Sequence, residues 1–184
     1  MKIEIEKIKF FVNHSIESLK SRDLLWTFDP NIPKNMRNTE IQDKNGWYAW
    51  KDTESLIDDI EINKLEQKID LKYPNIYREF LKYRHFYKLE KIENIDFFTH
   101  KSENWDSDLL NQYKIKEPEI TLEKGLIPFG FCDGGKISCF DTNNNNRIIS
   151  VFYDSNLNTE SENEIIFDNF SSMLDSYYEK NNCA

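Results

Sequence analysis

Between Leu126 and Tyr153 the chain carries three short runs, Leu126–Phe131, Lys136–Asp141 and Arg147–Tyr153, each rich in Ile, Val, Phe or Tyr. Turn chemistry separates them. Asp133-Gly134-Gly135 reaches positive φ without a Cβ penalty, and the Asn143–Asn146 run tolerates the left-handed region. Short β-rich runs joined by reversals this tight pair with their neighbours, so the spacing predicts an antiparallel meander. Such a sheet has an apolar face to bury, and the flanking sequence supplies helices to bury it.

From Ile5 onward Ile8, Val12, Ile16 and Leu19 recur at three- and four-residue steps, which predicts a helix ending near Ser21–Arg22. Residues 29–46, with two prolines, several Asn and a Gly, predict a long loop. Residues 54–72 predict a second helix with Leu56, Ile60, Leu65 and Ile69 inward. Pro74 suits a helix's first turn, and Ile76, Tyr77, Phe80 and Leu81 continue it as a third. Ile95–Thr99 is a candidate strand, and 101–119 is polar with Trp105 as its one large anchor. Ile165 opens the closing helix, whose Phe167, Phe170, Leu174 and Tyr177 share a face. No repeat or linker divides the 184 residues. The expected fold is one α+β domain, a mostly antiparallel sheet with N-terminal helices and a C-terminal helix on it. Residues 1–55 form a helix-and-loop extension to a unit spanning 56–180, the two making one compact body.

Catalytic patterns are sparse. His14, His85 and His100 are far apart, without the paired spacing of a zinc site. Three cysteines (Cys132, Cys139 and Cys183) make an odd count that fits a reduced compartment, so the cytoplasm is the expected location. No apolar run approaches a membrane span, and the N-terminus lacks the core of a signal peptide. Asp141-Thr-Asn143-Asn-Asn145 imitates the start of a calcium loop, but Phe152 stands where the bidentate Glu belongs, so a hairpin turn explains it better. Asp106 and Asp108 are a close pair of carboxylates, and a small hydrolase using Asp106 or Asp133 at a cleft is a third reading. The expectation is a protein without catalytic residues, metal or cofactor.

Charge is concentrated. Asp52, Glu54, Asp58, Asp59 and Glu61 lie in one ten-residue stretch without a base. Asp154, Glu160, Glu162, Glu164 and Asp168 lie in another. Together the two stretches carry −10 of a net −9, leaving the rest of the chain at +1. Phosphate recognition needs the opposite sign, which argues against nucleic acid as partner. Two readings of the acids stay open: solvated faces and helix starts, or a face that steers a basic partner. The aromatic cluster Trp47, Tyr48 and Trp50 has the same ambiguity, as a lid on the core or as an anchor patch.

The order of motifs then becomes informative. Leu65-Glu66-x-x-Ile69 followed by Tyr73-Pro74-x-x-Tyr77-x-x-Phe80-Leu81 resembles the opening helix pair of the SUKH superfamily, the Smi1/Knr4-like proteins. Gly125-Leu-Ile-Pro128-Phe-Gly130, then Asp133-Gly134-Gly135 and Cys139-Phe140-Asp141-Thr142, is similar to that family's central hairpin. Phe167-x-x-Phe170-x-x-x-Leu174 is similar to its closing helix. The resemblance spans about 56–178 and implies an immunity protein that binds and neutralises a cognate bacterial polymorphic toxin, frequently a nuclease. A branch implicated in cell-wall regulation implies the alternative, a regulatory or scaffolding module. The family transfers no catalytic residues. With a toxin as partner, Asp58, Asp59, Glu61, Glu160, Glu162 and Glu164 are the candidate contacts, with Trp47 and Trp50 as anchors.

Overall fold

The computed structural model describes residues 2–41, 43–115, 121–152 and 163–182. In chain order it runs α1 (Lys2–Ser21), β1 (Trp26–Thr27), β2 (Tyr48–Ala49), β3 (Thr53–Glu54), α2 (Asp59–Ile69), α3 (Asn75–Leu81), β4 (Arg84–His85) and β5 (Asp96–Phe97). Then follow α4 (Trp105–Ile115), β6 (Leu126–Cys132), β7 (Lys136–Asp141), β8 (Arg147–Phe152), β9 (Glu164–Phe167) and α5 (Phe170–Asn182). The expected α+β architecture is present, and its main sheet is antiparallel with order β5-β6-β7-β8-β9. Two short pairs, β1–β2 and β3–β4, stand apart from it.

The meander forms as its turns dictate. Gly134 and Gly135 take φ of 74° and 75° between β6 and β7, and Asn145 and Asn146 take 55° and 56° before β8. Asp141 closes the second turn, accepting from Asn144 Nδ2 at 2.8 Å and Arg147 Nε at 2.9 Å, as a hairpin requires. At Gly130 the strands approach so closely that a Cβ would lie 2.7 Å from the Asp96 carbonyl oxygen. The register slips there, between Pro128 and Gly130, where proline offers no N–H to the ladder.

One sheet face presents Ile127, Phe129, Phe140 and Ile148 to the helices, and the helices answer largely with rings. Phe129 stacks on Phe140 at 4.3 Å, Tyr77 of α3 meets Phe140 at 4.9 Å, and Phe170 of α5 meets Phe80 at 5.5 Å. Phe11 of α1 completes the cluster against Tyr177 at 4.8 Å and Phe97 at 5.3 Å. Such tilted and edge-on contacts add to the area that each ring removes from water. Leu126, Ile137, Cys139, Ile149 and Val151 are buried on the other face. Cys132 belongs to the first cluster and Cys139 to the second, so the sheet separates these two thiols, both free among the described residues.

Two expectations fail locally, and one element was not foreseen. The inward face of α2 is Ile62, Leu65, Glu66 and Ile69, while Leu56 and Ile60 stand 89% and 63% exposed. The helix starts only at Asp59, so a face projected back to Leu56 has no helix beneath it. Phe167 ends β9, paired to Ile148, and α5 begins three residues later behind Asn169, whose Oδ1 accepts the Ser172 N–H at 2.9 Å. The polar stretch after residue 101 contains α4, held by Trp105 and Leu109 one turn apart.

Candidate protein-docking surface

The first acidic stretch divides into neutralised and free carboxylates. Arg84 pairs with Asp52. Asp59 sits between Arg78 at 2.9 Å and Lys82 at 3.3 Å, and the hydrogen bond from Arg78 is the main cause holding its carboxyl below the usual range. Asp58 caps α2: its Oδ1 accepts the Ile60 and Glu61 N–H groups at 2.9 Å each, and Glu61 Oε2 accepts the Asp58 N–H at 3.2 Å. That reciprocal box satisfies orphan donors of the first turn but brings no positive side chain. Among the described residues Glu54, Asp58 and Glu61 form no ion pair, and all three are exposed. Three net charges therefore remain of the five, beside the outward Leu56 and Ile60.

The second acidic stretch is different. Asp154, Glu160 and Glu162 lie outside the described residues. Glu164 is exposed on β9 and pairs with Lys136 at 3.0 Å. Of the aromatic anchors, Trp47 is 39% exposed and lies against Phe28, itself 60% exposed, with ring centroids 3.5 Å apart. Trp50 has no exposed surface and packs near Tyr87 at 5.9 Å. Its role as a partner anchor is corrected here: a side chain sealed in the core has no area left to give an interface.

Arg78 also explains how α2 and α3 are joined. The Glu66 side chain is wholly buried, and it accepts from Arg78 Nη1 at 2.8 Å, Lys72 Nζ at 2.8 Å and the Tyr73 N–H at 3.0 Å. Burial opposes its charge, but those donors outweigh burial and hold the carboxyl below its ordinary value. This is the Glu of the Leu65-Glu66-x-x-Ile69 motif. The profile of the SMI1 / KNR4 family (SUKH-1) matches residues 56–176, well over half of the 184 residues.

The chain belongs to the SMI1/KNR4 family. No curated protein matches it at a significant level. The SUKH family is one of binding proteins and includes immunity proteins. In this SUKH-1 chain the motif has a physical reason: the Glu66 carboxylate ties the turn at Tyr73 and the face of α3 back onto α2.

Other polar groups of this SUKH-1 chain serve structure. His85 and His100 bury their rings 4.6 Å apart, with His100 Nδ1 3.1 Å from the Arg84 carbonyl oxygen. Burial pushes His85 down to about 4, and burial with the neighbouring His85 pushes His100 down to about 3. An open cleft of about 380 Å³ between the ends of α1 and α5 holds His14 and Tyr177 at 2.8 Å and the Arg22–Glu90 ion pair. Asp106 is paired with Lys68 at 2.7 Å and Asp133 with Lys91 at 3.1 Å. Among the described residues no three His, Cys, Asp or Glu side chains are grouped to hold a metal, and no helix is long and apolar enough to cross a membrane.

Proposed function

We propose that this chain is a cytoplasmic immunity protein that binds a cognate bacterial toxin without covalent chemistry and masks its active or substrate-binding surface. The family match carries this reading, because the family includes immunity proteins. Charge supports it. A chain of net −9 whose free carboxylates gather beside exposed aliphatic groups suits a partner with a basic surface. A nuclease needs such a surface to hold phosphate, so it is the toxin class that fits best. In this reading Asp58, Glu61 and Glu54 steer the encounter, Trp47 adds an exposed ring, and Asp59 supports the surface from within its ion pairs. Glu164 contributes from the second acidic stretch, to which Glu160 and Glu162 also belong.

The test is protection. Cells expressing the toxin domain encoded beside this chain should survive when the chain is co-expressed, and the purified pair should associate at a rate that falls steeply with salt. Survival unchanged by the chain would reject immunity. A stable complex with an endogenous regulatory protein, and no neighbouring toxin, would favour the scaffolding role instead.

A further inference from the structure

Leu56 and Ile60 are placed where a hydrophobic side chain gains little from the fold. Exposed at 89% and 63%, they stand out beside Ile57 and Ile62, which are buried within the same short stretch. The backbone that carries Leu56 is nonetheless pinned on both sides. Ser55 N–H donates to the Tyr83 carbonyl at 3.2 Å, and Ser55 Oγ donates to the Leu81 carbonyl at 3.0 Å. Ile57 N–H donates to Ser55 Oγ at 3.3 Å, and the Asp58–Glu61 box then locks the first turn of α2. Two exposed aliphatic groups thus lie four residues apart on a hydrogen-bonded ledge of backbone that also carries the exposed Glu54, Asp58 and Glu61. Lys64, one helical turn beyond Ile60, bounds the ledge.

We infer that this ledge is the anchor of the toxin interface, with Leu56 and Ile60 entering an apolar recess that basic side chains of the toxin surround. The inference rests on the immunity reading and gives it a location. Sign decides the occupant. Three carboxylates that form no ion pair, against the single Lys64, repel a second copy of the same ledge, an anionic lipid surface and nucleic acid alike, and attract a basic protein. Rigidity favours it too, because a preordered backbone leaves little ordering cost at binding.

The experiment uses the full-length chain and the C-terminal domain of the toxin encoded beside it. The double variant Leu56→Ala/Ile60→Ala should melt where the wild type does and bind at least about 30-fold more weakly, through faster dissociation. The pair Asp58→Asn/Glu61→Gln keeps groups able to cap α2 but removes two charges; it should slow association several-fold at low salt and not at high salt. Wild-type binding with the Leu56/Ile60 variant within about twofold of it would overturn the ledge while leaving immunity intact. A wild-type chain that neither binds nor protects would overturn both. A wild-type dimer that the aliphatic variant dissolves would assign the ledge to a second copy and overturn the proposal. Should the variant melt lower, amide exchange at residues 56–62 of the wild type decides: slowing on adding toxin supports the ledge, and no slowing overturns it.

Discussion

Glu66 is a carboxylate without exposed side-chain surface, and it stays ionised because three donors converge on it. Removing it leaves Arg78 largely buried without its inner partner. Glu66→Ala should therefore cost about 3 kcal/mol, with Glu66→Gln, which keeps shape but not charge, intermediate; urea midpoints check this. Acid acts in the same direction. The folded carboxyl is depressed, so its stabilisation is present above about 4.5 and lost as pH falls through its lower folded value. The buried His85 and His100 are also depressed, from 6.5 to about 4 and about 3, so the unfolded chain takes up their protons first. Stability should be level near neutrality and fall by roughly 2 kcal/mol per histidine from there to pH 5, as urea titrations across that window would show. Neither role was legible beforehand. Periodicity sorts residues by polarity, so a buried Glu looks like surface, and histidines 15 positions apart look unrelated until the backbone bridge between Phe86 and His100 brings them together.

The start of α2 is specified by chemistry visible in the chain, Asp58-x-x-Glu61 ahead of an apolar run. Asp58→Ala should lower stability by about 1 kcal/mol and Asp58→Asn by much less, measured by thermal melts of each variant. The same logic shows what could be foreseen among the elements. The meander was legible because its two turns demand Gly and Asn at left-handed positions, and α1 because its apolar stripe is long. The β3–β4 pair was not, since two residues of each strand meet only through contacts distant in sequence. Helix α4 was hidden by having two buried anchors among polar neighbours. The boundary before α5 carried a signal that periodicity overrode: Asn169 three residues before Ser172 marks a helix start, which excludes Phe167 from the helix. Leu56 and Ile60 misled in the same way, because spacing alone does not say where a helix begins.

At the scale of the molecule, the family profile begins at residue 56, yet the core does not. Phe11 is fully buried among Phe80, Phe97 and Tyr177, so α1 fills space that the matched region leaves open. A chain truncated to 56–184 should lose its cooperative thermal transition, which calorimetry would reveal. The positions of the tryptophans have a consequence of another kind. Trp50 and Trp105 are sealed in the interior, whereas Trp47 and the half-buried Trp26 sit near water on the β1–β2 pair. The native emission spectrum is therefore composite: iodide should quench its red edge and spare its blue edge. An event confined to the β1–β2 pair and a loss of the whole fold would each leave a separate optical signature in one unlabelled sample.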